Sequence, residues 1–435
     1  MNQILNLAYN TWARRDDMRR RRDRFKRYTY GDQWSDLVHD KDGNLVPESQ
    51  LVKFSGREPL THNLIRRLVK TVVGRYRTIC DEQRRYADTP DSLARENALA
   101  EMDSRLLEEF LISGCAIQRV VAETRRGRQG VWVDNVSPSR FFVNDFRDPR
   151  GWDVTMLGML HDMSPGEMIS RFGAAFDPSR ALSAGILDHE DTFFGSRDGT
   201  FRAIEVWTYE PRVTVIAHDP ATATVGAVGA GMVTAPGVSV SRRVDFEWHC
   251  RWFDGAANML DHYTSPFGHG EHPFVFKFYP LVDGEVHSFV EDIIDQQRCV
   301  NRLMVLMDKM LGASAKGVLL FPMNQLHKDF PIERVCENWA AADGVIPITG
   351  TSSVLPHQVN GSGNDAGAQK LLELEMKFFE DISGVSDALM GKSAGGTGGA
   401  GLFNAQLQSA TAALADVFQT FESLTRARDD KAAAS

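Results

Sequence analysis

The most regular alternation of apolar and polar positions runs from Ser288 to Leu311, SFVEDIIDQQRCVNRLMVLMDKML. Phe289, Val290, Ile293, Ile294, Val300, Leu303, Met304, Met307, Met310 and Leu311 recur at three- and four-residue intervals, which predicts a helix with one apolar stripe. Ser288 followed by Glu291 is a capping-box pattern and marks its start. At 1.5 Å per residue the helix is roughly 36 Å long. Asp292, Asp295, Gln296, Asn301, Arg302 and Lys309 lie away from the stripe, implying water or a polar surface there. The pattern fits a helix packed beside a neighbour, and equally a core helix of a two-layer domain.

Taken from the start, the first thirty residues predict a helix, with nine Arg or Lys against three Asp between Arg14 and Arg27. That density reads as a solvated face, or as a surface for an acidic partner or nucleic acid. Residues 40–60 are turn-rich and read as a linker. Asn63 caps a predicted helix from Leu64 to Ile79, and Asp91 or Ser92 opens another that stops before Gly114. The period then changes to two. CAIQRVVAE, a turn from Arg125 to Gly130, and VWVDNV predict a hairpin. Ser164-Pro165 begins a short helix ending at Gly173. AIEVWTYE, RVTVIAH, SRRVDFEWHCRWF and HPFVFKFYP predict strands, and the Ala/Gly/Val-rich stretch 221–237 between them a flexible loop. After the long helix, 317–367 predicts a small strand-bearing unit. Ala368 to Ile382 predicts a second helix, the glycine-rich 385–401 a mobile loop, and Leu402 to Leu424 a last helix with a frayed tail.

Composition narrows the class. A chain of 435 residues has room for about two or three domains, and 43% hydrophobic with 25% charged residues is ordinary for a soluble protein. The net charge of -9 supplies no global basic field, which disfavours a tight DNA binder but not a protein past which DNA slides. Cys80, Cys115, Cys250, Cys299 and Cys336 form no CxxC and read as reduced, mostly buried thiols. The N-terminus lacks a charged leader and no apolar run reaches eighteen residues, so a soluble, intracellular chain without membrane insertion is expected.

Catalytic chemistry is sparse. Gly391-Lys392-Ser393 resembles the end of a phosphate loop, but Ser386 stands where the first glycine of G-x-x-x-x-G-K-S/T belongs. The motif also follows a predicted helix instead of a strand. His249, His262, His269 and His272 cluster in sequence without a second pair at metal-ligand spacing, and read as surface or interface histidines. No HExxH or paired-carboxylate signature occurs; Asp292, Asp295 and Asp381 read as helix-surface charges. No enzyme activity, metal or cofactor is expected.

The stretch HPFVFKFYPLVDGEVHSFVEDIIDQQRCVNRLMVLMDKML resembles portal proteins of tailed bacteriophages, in particular the podovirus-like branch. The resemblance rests on Ile294, Asp295, Gln297 and Asn301 in the long helix, then on Ser383, Gly384, Val385, Ser386, Leu389, Met390 and Gly391 after the second. It extends to the order of elements over most of the chain. It implies an α+β portal fold: an N-terminal basic segment 1–54, wing 55–287, first stem helix 288–316, clip 317–367, second stem helix 368–384, tunnel loop 385–401 and crown-directed helix 402–435. Because the chain ends soon after that helix, a large crown or C-terminal barrel is not expected.

The same resemblance implies a non-enzymatic ring of about twelve copies at one capsid vertex. Double-stranded DNA enters and leaves through it. The major capsid protein, the terminase large subunit and a head–tail adaptor or tail protein are the implied partners. Its place is the virion, and the host cytoplasm during assembly. Under that reading Lys392, Ser393, Thr397 and Asn404 are candidate DNA-channel residues of the tunnel loop. Glu373, Glu380 and Asp381 are candidate channel-lining acids, which would repel phosphates and let DNA slide. Ile293, Ile294, Val300, Leu303 and Met307 are the candidate stripe for packing between subunits. Two rival readings are a nucleotide-binding enzyme built on Gly391-Lys392-Ser393 and a cellular helical scaffold.

Overall fold

The computed structural model of the protein describes residues 2–82, 91–178, 192–195, 199–219, 224–228, 239–314, 318–322, 326, 330–340, 346–348, 357–359, 365–385, 412 and 414–435. They belong to two units, one of Met1–Thr29, Arg67–Asp292 and Val385–Ser435, the other of Tyr30–Arg66 and Ile293–Gly384.

The basic N-terminal segment is two helices, α1 (Gln3–Arg14) and α2 (Asp16–Tyr30), broken at Arg15. Arg14 and Arg20 stay solvated, but Arg19 and Arg22 do not. Arg22 is buried on the Glu109 carboxylate through two 2.8 Å hydrogen bonds, and Arg19 is buried over the Trp12 ring. The stretch 40–60 is not merely a linker. A hairpin of β1 (Leu37–His39) and β2 (Leu45–Pro47) turns where Asp40 Oδ1 accepts from the amides of Asp42 and Asn44, and α3 (Glu48–Phe54) follows. Helix α4 (Leu64–Glu82) has its predicted cap, Asn63 Oδ1 accepting from the Arg66 amide at 2.9 Å. The next predicted helix is two, α5 (Asp91–Glu96) and α6 (Leu99–Ser113), because Ala98 takes a left-handed conformation between them. Gly114 ends α6 at φ +70°, and a Cβ there would crowd the His287 carbonyl.

The first unit is built on period-two alternation. A larger antiparallel sheet has the order β10 (Met259–Thr264), β9 (Ser239–Asp254), β7 (Phe201–Asp219), β6 (Met156–Met163), β5 (Phe141–Val143). Alternate residues Ala203, Trp207, Trp248, Cys250 and Trp252 join one core with Phe141 and Phe274. That core includes residues of the smaller sheet, whose order is β11 (Phe274–Phe278), β3 (Cys115–Arg125), β4 (Arg128–Asn135). Ile204, Val206, Phe253 and Phe142 point the other way and bury Leu5, Ala8 and Trp12 of α1. Helix α7 (Pro165–Phe172) starts at the predicted Ser164-Pro165, and the structure adds a capping box between Ser164 and Glu167.

Two expected strands are one. Strand β7 runs straight through Pro211, which pairs with Phe246 of β9. The proline is tolerated because β6 pairs with β7 only as far as Thr208 and β8 (Thr224–Val228) begins at Val215, leaving no ladder partner on that side. Strand β8 also corrects the expectation that all of 221–237 is loop; the rest of that stretch lies outside the described residues. A short hairpin, β12 (Pro280–Val282) with β13 (Glu285–Val286), leads toward the long helix.

In the second unit, α8 (Ile294–Ser314) follows a single 3₁₀ turn at Glu291–Ile293. Ser288 and Glu291 make the predicted capping box at that turn, so the α-helix proper is roughly 31 Å long, shorter than expected. The region expected to carry strands holds β14 (Val318–Leu320) paired with β15 (His357–Val359), and α9 (Ile332–Ala340) between them in sequence. Helix α10 (Asp365–Ser383) runs beside α8. The last helix, α11 (Ala415–Ala433), belongs to the first unit, and the tail expected to fray is helical to Ala433.

Candidate functional site

The long helix is held by polar side chains that its pattern assigns to solvent or leaves unassigned. Gln297 and Asn301, four residues apart, share one face of α8 and are buried. Gln297 Oε1 accepts from the amides of Leu64 at 2.9 Å and Ile65 at 3.2 Å, while its Nε2 donates to the His62 carbonyl at 2.8 Å. Asn301 Oδ1 accepts from the His62 amide, and its Nδ2 donates to Gln33 Oε1 at 2.6 Å. The first turn of a helix has amides without intrahelical partners. In α4 those of Leu64 and Ile65 are satisfied from α8, and that of Arg66 by its own cap. Of the two surroundings expected for Asn301, water or a polar surface, it meets the polar one, made by Gln33 and the His62 backbone.

One turn around, Arg298 and Arg302 both donate to Glu48, which is buried at the start of α3. A buried carboxylate is costly without such partners, and two guanidinium groups supply them. Gln33 and Glu48 gave no signal in the sequence. Only their burial shows that they matter.

Helix α10 carries three strips at 100° per residue. Phe379 and Ser383 are buried on one. Leu371, Leu374, Phe378 and Ile382 form a second and are 43–48% exposed, an unusual amount for large apolar side chains in a row. The third is charged: Lys370, Glu373, Lys377, Glu380 and Asp381. Among the candidate acids, Glu373 and Asp381 are exposed and Glu380 is half-buried. Thus the apolar and the charged strips face different directions from one helix.

The candidate packing stripe on α8 needs correction. Ile293, Ile294 and Val300 are 0–3% exposed within the single chain, so they are core and cannot meet a neighbour. Leu303 and Met307 are half-buried. Lys392, Ser393, Thr397 and Asn404 lie outside the described residues, as does Gly391.

Elsewhere the ionisable groups are structural. Glu205 is fully buried on the larger sheet, accepting from Trp207 Nε1 at 2.8 Å and lying 2.8 Å from His161 Nε2 and 3.3 Å from Arg119 Nε. Burial alone would raise its carboxyl, but Arg119 and then His161 outweigh that and hold it well below the usual carboxylate range. A carboxylate so saturated is not poised to move a proton. His249 stacks on His262, and His272 lies edge-on to Trp248. Among the described residues no group of histidine, cysteine and acidic side chains is arranged to hold a metal, and no helix is long and apolar enough to cross a membrane.

Among the described residues the buried acids Glu48, Glu205 and Asp103 are each met by arginine, and a strip of large apolar side chains on α10 stays exposed. The chain belongs to the phage P22-like portal protein family, whose model matches residues 91–429. It is thus a structural portal protein of the head–tail connector class, and the family implies an oligomeric ring at the capsid vertex with capsid and tail partners. No curated protein matches the chain. The matched stretch begins at Asp91, so Gln33, Glu48 and the capped start of α4 lie before it.

Proposed function

We propose that the chain closes into a ring of about twelve copies and forms the conduit for packaging and ejecting double-stranded DNA. The match to the portal family over residues 91–429 carries this reading. The exposed strip Leu371, Leu374, Phe378 and Ile382 supports it, because a cyclic heterologous contact needs an apolar surface left uncovered in the single subunit. In this reading 55–287 is the wing, 288–316 and 368–384 are the stem, 317–367 is the clip and 402–435 heads toward a short crown. The clip meets the packaging motor and later the tail adaptor. Glu373, Glu380 and Asp381 turn toward the bore and keep DNA from adhering. Lys392 in the loop 385–401 supplies the local contact to phosphate, with Ser393, Thr397 and Asn404 beside it.

The test is the native mass of the purified protein together with negative-stain images. Twelve chains of 48.6 kDa give a particle of about 580 kDa with a central hole. A compact dimer that binds ATP would overturn the proposal. Replacing Lys392 by alanine should weaken DNA retention in filled heads; unchanged packaging and retention would remove its charge from the mechanism.

A further inference from the structure

We propose that the exposed face of α4 between Arg67 and Thr78 is a track for the phosphate backbone of double-stranded DNA. Helix α4 buries Leu68, Val69, Val72, Tyr76 and Cys80 along one side. The opposite side carries Arg67, Lys70, Gly74, Arg77 and Thr78, all exposed. The side chains of Arg67, Lys70 and Arg77 have no acidic partner among the described residues, and the single acid on that face, Asp81, lies one turn beyond Arg77.

The contrast with the overtly basic N-terminus is the first argument. There Arg14 and Arg15 are neutralised by Asp145, Arg19 and Arg20 by Asp16, Arg21 by Asp17 and Glu291, and Arg22 by Glu109. Each of these six arginines has a carboxylate within reach, with Asp145 and Asp16 each serving two of them. The three cations of α4 are open, in a chain of net charge -9 where uncompensated positive charge is scarce. Ten residues of helix span about 15 Å, against one phosphate of each strand per about 3.4 Å of duplex axis, so three cations on one face can meet successive phosphates.

Gly74 is the second argument. A glycine inside a helix lowers its stability relative to alanine. A Cβ at Gly74 would meet nothing within 4 Å, so packing within the chain does not require glycine there. Its place between Lys70 and Arg77 leaves a bare patch of backbone on the cationic face. A patch of that kind suits close approach of another backbone, which is what a sugar-phosphate chain between two cations provides.

The proposal rests on the conduit reading for the source of the DNA, but binding by the purified full-length protein tests it independently. The probe is a labelled random-sequence duplex titrated by fluorescence anisotropy at several salt concentrations. Arg67→Ala with Lys70→Ala and Arg77→Ala should lower affinity at least tenfold at low salt and reduce the log–log salt slope by about 2.7, at about 0.9 per phosphate contact. The single Lys70→Gln should reduce it by about 0.9. Gly74→Gln, which removes no charge, should also weaken binding, whereas Arg14→Ala with Arg20→Ala should not. All these positions are exposed, and an unchanged melting temperature verifies the fold. An unchanged salt slope in the triple variant overturns the proposal, as does wild-type protein that binds no duplex. Loss of the ring with unchanged DNA affinity would also overturn it, and would make the stripe a contact to an acidic neighbour. The expected losses in a protein that forms no ring would support the stripe while the conduit reading failed.

Discussion

Arg428 is fully buried against Asp103, whose position in the chain is 325 residues earlier. The pair joins α11 to α6, and Asp103 also accepts from Gln118 Nε2, which bonds Asn135 across the β3–β4 hairpin. Phe421, two turns before Arg428, packs against Tyr76 and Phe110. The last helix is thus a structural member of the first unit.

Removing one partner of a buried ion pair leaves the other charge stranded. Arg428→Ala should cost about 3–5 kcal/mol, read as a lower urea midpoint at unchanged m-value. Arg428→Met combined with Asp103→Leu should cost much less, since the pair gains little over apolar packing. A double-mutant cycle would reveal the coupling.

The link from α8 to α4 makes a local prediction. Gln297→Ala removes the side-chain acceptor shared by the Leu64 and Ile65 amides, leaving Leu64 its bond to the His62 carbonyl, and should cost about 1–3 kcal/mol. Hydrogen exchange should quicken at Leu64 and Ile65 but much less at Arg66, whose cap is Asn63. Equal quickening at all three would mean that the start of α4 opens as a unit.

The exposed strip of α10 and the buried entry to α8 should respond differently to substitution. Phe378→Glu and Leu374→Glu, at positions 44% and 43% exposed, should prevent ring formation with little change in protomer melting. Ile293→Ala removes a fully buried side chain and should cost about 2–5 kcal/mol whether or not a ring forms. Native mass spectrometry and melting curves separate the two effects.

Acid sensitivity should trace in part to His272. Burial, then Lys431 and His269, push its imidazole well below the ordinary histidine range, while Glu271 pairs with Lys431 beside it. The unfolded chain takes up a proton near pH 6.5 that the folded chain refuses. The stability is therefore full above that pH and is lost as pH falls toward the depressed folded value. His272→Gln should remove up to one proton from this linkage, about 1.4 kcal/mol per pH unit, measured by urea titrations between pH 7 and 5. His161, also lowered by burial, should leave a residual slope.

Thiol labelling checks the core. Cys80, Cys115 and Cys250 are buried, and burial pushes the Cys115 thiol up to about 12. Native protomer should react only at the exposed Cys336 and Cys299, with Cys299 slower because partial burial raises its thiol. All five thiols should react in urea.

Local physics was legible in the sequence. The Asn63 cap, the Ser164-Pro165 helix start, the Gly114 stop and the period-two strands follow from contacts within a few residues, and each appears where its pattern places it. The ordered likeness of the later helices to portal proteins was legible too, and the family match agrees with it. What the chain alone left open was which polar residues are inside. Asn301 and Arg428 look like surface side chains because polarity is a property of one residue, whereas burial depends on a partner that arrives from far along the chain. The same reason misplaced the packing stripe: Ile293 and Val300 are as apolar as Leu374 and Phe378. Only the tertiary structure decides which apolar faces are covered within the subunit and which remain for a neighbour.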